Sequence, residues 1–363
     1  MNLHLDLGPK SYDILIRQGS LQEAPSHILP HLRGDQVAIL TDSHVGPLYG
    51  EGLLAAFKAR GVRAFLLTIP PGEASKSMEQ AMAIYSRLGE EGFSRKDLLV
   101  ALGGGVVGDL GGFVAATWLR GVDFYQIPTS LLAQVDSSVG GKVAIDLPGG
   151  KNLVGAFHQP KGVLIDPATL KTLEEKYFID GMGEVIKYGA IFDAAFFTAL
   201  GKDIPTLAKV REGYAMEGIL YRCCQLKKEV VEKDEREEGL RALLNFGHTL
   251  GHGIEKAEGY TGHSHGEAVA MGMCLITAAS EALGWTLRGS AAALKRLCRE
   301  AGLPREFPRE LLPQVIEAMA RDKKRQGQTL GLVILDAIGK ARVRRVALEE
   351  VPAILERGLA YEG

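Results

Sequence analysis

The 363-residue chain has only four cysteines, Cys223, Cys224, Cys274 and Cys298, with no C-x-x-C pair and no disulfide-framework spacing. That scarcity excludes a disulfide-stapled secreted scaffold and points to a reducing cytoplasm. No run of about 18 uncharged apolar residues occurs, so no helix is expected to span a membrane. Met1–Gln18 carries Asp6, Lys10, Asp13 and Arg17, which leaves no apolar core for a signal peptide. An excess of charge is lacking too: 42 Lys and Arg balance 44 Asp and Glu, for a net charge of -2. A nucleic-acid or anionic-membrane partner held by a global positive field is therefore not expected. The balance leaves open a small anionic ligand in one pocket. Asparagine occurs only as Asn2, Asn152 and Asn245, a composition that leans towards a thermophile.

What is present is apolar and patterned. Hydrophobic residues make up 46% of the chain and charged ones 24%, enough to bury a sizeable core. At ~150 residues per domain the length suggests two domains. Short apolar runs at Gln36–Leu40, Val62–Ile69, Asp97–Leu102, Phe124–Ile127 and Gly162–Ile165 read as strands stopped by Gly, Pro or Asp. Ser75–Glu90 between them has helical spacing. From about Leu170 the pattern becomes mainly helical, with helices expected over Leu170–Leu200, Tyr214–Glu237, Leu243–Ala257, Glu267–Leu283, Ala291–Ala301 and Arg309–Arg321. Thr329–Val346 reads as an extended pair bent at Ala337-Ile338-Gly339. The expected fold is an α/β N-terminal domain (1–170) with a mainly parallel, Rossmann-like sheet, then a mainly α-helical C-terminal domain (171–363). A cleft between two such domains is the default ligand site.

Several motifs carry chemistry. Gly103-Gly104-Gly105-Val106-Val107-Gly108 satisfies G-x-G-x-x-G, follows a strand and opens a helix, as a phosphate-binding turn does. It follows the third apolar run rather than the first, and Asp109 comes directly after it, so a Gly-rich structural turn is the competing reading. Asp136-Ser137-Ser138-Val139-Gly140-Gly141-Lys142 and Gly149-Gly150-Lys151-Asn152 lack P-loop spacing and read as loops over an anion or as ordinary surface loops. Four of the nine histidines, His248, His252, His263 and His265, are crowded together. His248 and His252 stand at i and i+4, spacing that lets two imidazoles meet one metal, and Glu184 offers a carboxylate on a separate helix. Lys227 falls on the apolar stripe of its helix, where it either snorkels or points into a dry pocket. Arg241, Asn245 and His248 are expected on one helical face. Asp322-Lys323-Lys324-Arg325 reads as a solvated charge run or as part of an anion site.

Taken together, the motifs resemble those of the 3-dehydroquinate synthase family. The matching segments are Pro71-Gly72-Glu73-x-x-Lys76, Gly103–Asp109, Gly111–Gly121 with Arg120, Pro128–Lys142, Gly150–Gly155, Gly183–Gly189, Asp234–Gly253 and His265-Gly266-Glu267. The resemblance implies an NAD site lined by Asp42, Glu73, Lys76, Gly104, Gly105, Val106, Val107, Gly108, Asp109, Thr129, Ser130, Lys142, Lys151, Thr169, Leu170, Lys171 and Thr172. Ser130 stands where a second threonine often occurs and keeps the hydroxyl. The resemblance also implies one divalent metal ion, Zn or Co, held by Glu184, His248 and His265. It moves the third ligand away from His252, which matches a substrate-site histidine, and leaves His263 without a role. Asp136, Lys142, Asn152, Lys187, Lys227, Arg120, Arg241, Asn245, His252 and one of Lys323 and Lys324 are implied around the substrate.

The reaction implied is the conversion of 3-deoxy-D-arabino-heptulosonate 7-phosphate, a small anionic sugar-acid phosphate, into 3-dehydroquinate and phosphate. It runs by transient oxidation at C5, phosphate elimination, re-reduction, ring opening and aldol closure, and is the second step of the shikimate pathway. Such an enzyme is a carbon–oxygen lyase, and a cytoplasmic homodimer is what the family leads one to expect. Two rival readings are another sugar-phosphate cyclase, such as a 2-deoxy-scyllo-inosose synthase, and a metal-dependent polyol dehydrogenase. The cluster of Lys and Arg candidates weighs against the dehydrogenase, whose uncharged substrate needs no such set.

Overall fold

The computed structural model of the chain describes residues 1–204, 216–323 and 328–362. They fall into two units, Met1–Glu174 with Arg211–Glu232, and Glu175–Val210 with Lys233–Gly363. A single boundary after residue 170 would place 211–232 in the second part of the chain. Of that stretch the described residues, 216–232, pack on the first unit, because the helix Met216–Lys233 is tied to its loops. There, Glu217 accepts from the Gln18 amide at 2.7 Å, and Cys224 donates to the Gln134 carbonyl at 3.3 Å.

Alternation builds the first unit. Its strands are β1 (Asn2–Leu5), β2 (Tyr12–Ile16), β3 (Gln36–Asp42), β4 (Arg63–Ile69), β5 (Leu98–Gly103), β6 (Asp123–Pro128), β7 (Lys142–Leu147), β8 (Gly150–Phe157) and β9 (Gly162–Ile165). Seven of them form one sheet in the order β1-β2-β9-β6-β5-β3-β4, parallel except for β1 against β2. Ala38, Leu40, Leu99 and Ala101 enter one core; Val37, Ile39, Leu98, Val100 and Leu102 enter the other. Successive side chains point to opposite faces, so a strand that is apolar throughout must be covered on both. Helices α1 (Ala24–Ile28) and α2 (Glu51–Lys58) cover one face; α3 (Met78–Glu90) and α4 (Gly105–Thr117) cover the other. The five strands expected from sequence are present, Gly162–Ile165 with the same ends and the other four with ends shifted by one or two residues. The strands β1 and β2 and the antiparallel β7–β8 hairpin were not expected; the two Gly-rich stretches read as loops lead into this hairpin and turn it.

Chain order fixes where a ligand can sit. β4 lies on one side of β3 and β5 on the other, so the connections part between β3 and β5. In open α/β sheets that switch point, at the carboxyl ends of the strands, is where ligands bind. Asp42 ends β3 and Gly103 ends β5.

In the second unit the helices are α5 (Glu175–Phe192), α6 (Ala194–Asp203), α8 (His248–Ala257), α9 (His265–Ala282), α10 (Ser290–Glu300), α11 (Leu312–Lys323) and α12 (Val351–Leu359), with a hairpin of β10 (Thr329–Ala337) and β11 (Lys340–Ala347). The helix Met216–Lys233 of the first unit is α7. α9 is apolar on all sides and buried along nearly its whole length, which makes it the axis of this unit. Two expected helices are broken. Leu170–Leu200 divides into a 3-10 turn at Pro167–Lys171, then α5 and α6, with Asp193 capping α6 by accepting from the Phe196 amide at 2.9 Å. Leu243–Ala257 divides into a 3-10 turn at Leu240–Asn245 and α8, separated by Gly247 at φ 79°. Arg241, Asn245 and His248 therefore do not share a helical face. A Cβ at Gly247 would lie 2.6 Å from the Val269 carbonyl oxygen, so the break is built around glycine.

All four cysteines are free and fully buried, and burial pushes the Cys224 thiol up to about 12. A thiol-specific disulfide reagent at mildly alkaline pH is expected to leave the native protein unmodified and to find four thiols after denaturation. A fast-reacting thiol in the native protein would contradict this packing.

Candidate active site

The strand ends of the first unit gather the expected cofactor residues. α4 begins at Gly105 with Gly104 as its N-cap, no side chain caps it, and no acidic residue stands in its first turn. Its first amides are thus left to an external acceptor, and the helix dipole favours an anion there. Side chains at Gly104 and Gly105 would push towards the hydroxyls of Ser130 and Ser137. Gly108 serves packing instead: a Cβ there would meet Gln126 at 2.7 Å. The side chains of Val107 and Leu170 are also buried in the core, so only their backbone could reach a ligand. Val106 is half-buried against the core, Thr129 is buried, and Lys171 is exposed. Asp42 shapes the turn after β3 by accepting from the amides of His44 and Val45 at 2.8 and 2.9 Å.

Asp109, expected at the cofactor site, is paired with a lysine. Its carboxylate accepts from Lys76 at 2.5 Å. Burial alone would lower the Lys76 ammonium, but Asp109 and Glu73 beside it outweigh this and raise it, so it stays charged. Burial raises the Glu73 carboxyl, and nearby Asp146, which hydrogen-bonds it, adds to the shift against the opposing pull of Lys76 and Lys151. Asp146 was missed in the sequence. It also accepts from the Asn152 amide at 2.7 Å, holding Asn152 at φ 57°, and donates its own amide to the Lys76 carbonyl at 2.8 Å. An acidic residue three positions before Gly149-Gly150 was its only signal. Thr169 hydrogen-bonds Gln134 at 2.9 Å and Thr172 meets the Tyr49 hydroxyl at 2.6 Å.

Lys227, on the buried stripe of α7, donates to the Asp136 carbonyl at 2.6 Å and to its carboxylate at 2.7 Å. The structure thus joins two expected substrate residues within one unit. Lys142 is exposed at the start of β7. Arg120 follows the far end of α4, whose 13 residues span about 20 Å from the Gly104 turn.

In the second unit Glu184 and Lys187 lie on one face of α5, both fully buried and in contact as an ion pair, with Lys187 also donating to the Leu244 carbonyl at 2.7 Å. His248 and His265 each occupy the first residue of a helix and turn towards Glu184. Their Nε2 atoms stand 3.4 and 3.8 Å from Glu184 Oε1. Donors ~2.1 Å from a tetrahedral Zn²⁺ are about 3.4 Å apart, so this set fits a divalent metal. Burial first, then the charge of Lys187, holds His248 well below its usual pKa, in the neutral form that ligates metal. For His265 burial is outweighed by Glu255, Glu184 and Asp180, which raise it.

The His-Gly-Glu motif has a physical reason at each position. His265 presents a donor. Gly266 touches α5: a Cβ there would lie 1.9 Å from the Asp180 carbonyl oxygen, while its amide donates to the Asp180 carboxylate at 2.6 Å. Glu267 reaches back to the Ser264 amide at 2.8 Å and starts the helix.

The i, i+4 pair suggested by spacing does not meet at Glu184: of the two, His248 turns its Nε2 to that carboxylate. His252 is exposed, with its ring stacked on that of His265 at 5.8 Å between centroids. His263 is held by Glu258 at 2.8 Å, away from the Glu184 group. Arg241 is buried, donating to the Glu235 carbonyl at 2.5 Å, and Asn245 donates to Glu237 at 2.6 Å. Lys324 and the side chain of Lys323 lie outside the described residues.

Comparisons with known proteins agree with this architecture. A family model described as 3-dehydroquinate synthase N-terminal matches residues 66–180, and one described as 3-dehydroquinate synthase C-terminal matches residues 181–325. A 3-dehydroquinate synthase of Clostridium acetobutylicum is 46% identical over 350 residues, covering 96% of this chain and 97% of that one. Among solved structures, a 2-deoxy-scyllo-inosose synthase complexed with carbaglucose-6-phosphate, NAD+ and Co2+ superposes with TM-score 0.87 at 25% identity, covering 99% of this chain and 100% of that one. The 2-epi-5-epi-valiolone synthase of Streptomyces hygroscopicus, with NAD+ and Zn2+ bound, gives TM-score 0.86 at 26% identity, covering 96% and 97%.

The contact at Gly266 generates a test. Gly266→Ala should cost ~2 kcal/mol or more by overpacking against backbone, and should strip bound metal by moving His265 from Glu184. Gly218→Ala, at a helical position with nothing within 4 Å, should be neutral or stabilising by ~0.5–1 kcal/mol. Urea unfolding and metal content per chain check both.

Proposed function

The chain belongs to the 3-dehydroquinate synthase family, and from that premise we propose that it converts 3-deoxy-D-arabino-heptulosonate 7-phosphate into 3-dehydroquinate and phosphate. The observation that carries this reading is the 46% identity to a 3-dehydroquinate synthase over 96% of the chain, against 25% for the inosose synthase.

We assign one divalent metal ion, Zn or Co, to Glu184, His248 and His265, whose donor separations suit it. NAD is assigned to the glycine-opened end of α4 for its phosphates, and to Asp42 and Glu73 as acceptors for sugar hydroxyls. When bound, NAD supplies reversible hydride transfer and the metal supplies Lewis acidity at a substrate hydroxyl. The remaining work is positioning and charge neutralisation by the protein. Lys142, Lys227, Lys187 and Arg241 are assigned to the substrate's phosphate and carboxylate. Asp136, bound to Lys227, keeps that ammonium in one orientation. Asn152, Asn245 and His252 are assigned to hydroxyl contacts and proton relay. Either Lys323 or Lys324 adds a further cation. Arg120 is assigned to the substrate's anionic groups as well.

The setting is a cytoplasmic homodimer. In support, all four cysteines are free, and no helix among the described residues is long and apolar enough to cross a membrane. The charge balance of -2 supports a small-molecule substrate rather than nucleic acid.

The test is an incubation with the heptulosonate phosphate, substoichiometric NAD and Zn²⁺ or Co²⁺. Phosphate and 3-dehydroquinate should appear together without net NADH. Stoichiometric NADH would instead make the protein a polyol dehydrogenase. His265→Ala should lose tight metal binding while His263→Ala retains it; equal loss in both would reject the ligand set.

A further inference from the structure

Glu255 is a carboxylate with 4% exposure for which the reaction above has no task. Burying such a group is costly unless something around it uses the charge. It lies on α8 at three residues beyond His252 and seven beyond His248, so all three share one helical stripe. Its Oε2 stands 3.4 Å from Nδ1 of His265, whose opposite nitrogen, Nε2, faces Glu184. The imidazole is thus held between two carboxylates, one at each nitrogen.

An imidazole that gives Nε2 to a metal carries its proton on Nδ1, and that proton needs an acceptor. The two candidate ligands solve this differently. His248 points Nδ1 at the Phe246 carbonyl, 3.1 Å away, which only accepts and so places the proton there. His265 points Nδ1 at a carboxylate instead. A neutral carbonyl fixes a tautomer; a carboxylate fixes it and also makes the far nitrogen a stronger donor. The extra charge has a use here, because Lys187 lies against Glu184 and offsets its negative charge.

We propose that Glu255 is a positioning residue of the metal centre, accepting from His265 Nδ1 so that Nε2 is the donor turned towards Glu184 and His248. The proposal rests on the assignment of Glu184, His248 and His265 as the metal ligands. It makes Glu255 no ligand itself, although His252, Glu255 and His265 also bring donor atoms within 4.8 Å of one another.

Metal-free protein titrated with Zn²⁺ and with Co²⁺ against a chromophoric chelator separates the possibilities. Wild type should bind one ion per chain. Glu255→Gln, which keeps shape but removes charge, should bind it ~10–100-fold more weakly. Its Co²⁺ visible spectrum should shift, while the unfolding midpoint of the metal-free protein stays at the wild-type value. Glu255→Asp should recover part of the lost affinity. Unchanged affinity and spectrum in Glu255→Gln, with wild type binding normally, would overturn the proposal and leave the ligand set standing. Two ions per wild-type chain, one lost in Glu255→Gln, would overturn it by making Glu255 a ligand. A wild type that binds no ion would reject the ligand assignment, and this proposal with it.

Discussion

A carboxylate with no exposure to solvent, Glu184, is the constraint around which the second unit is arranged. Removing a charge from water costs several kcal/mol unless partners replace the lost hydration. The partners here come from three separate elements: Lys187 one turn along α5, His248 at the start of α8 and His265 at the start of α9. Lys187 offsets the charge and the two imidazoles turn a ring nitrogen towards it, so the helix starts must hold their positions. That explains why the surrounding contacts are backbone contacts made through glycine. Gly183 and Gly266 let α5 and α9 approach closely, and Gly247 turns the chain into α8.

The first unit meets a different constraint by a similar economy of side chains. A sheet whose central strands are apolar throughout is sealed on both faces, so polar chemistry is confined to its edge. The carboxyl ends carry it: Asp42 after β3, the Lys76–Asp109 pair after β4 and β5, and the Asp136–Lys227 pair after β6. Two of these pairings join residues far apart in the chain. Each anchors a lysine at the rim of a dry core, as recognition of anionic groups requires.

Much of this was legible in the sequence, and the failures are instructive. The central strands were readable because an unbroken apolar run between Gly and Pro has few other uses. The hairpin Lys142–Phe157 was not, since its glycines and lysines resemble a loop until strand pairing is seen. The helix break at Gly247 was hidden by continuous apolar spacing around it. The i, i+4 pair of His248 and His252 was a real helical neighbourhood, yet only one of the two faces Glu184. Resemblance to a family, rather than spacing, pointed to His265. Asp146 and Glu255 were passed over because an isolated acidic residue carries no periodic signal.

By itself the sequence determined the alternation of strands and helices, the glycine-opened helix after β5 and the inventory of donors, since each depends on residues a few positions apart. Only the tertiary structure decided which donors meet. Glu184, His248 and His265 lie on three helices, and whether their atoms come within 3.4 to 3.8 Å depends on how closely the backbones pack. It likewise decided that residues 216–232 return to the first unit. Local order sets what a segment can be; the cost of burying charge and the close approach of glycine backbones set where it ends up.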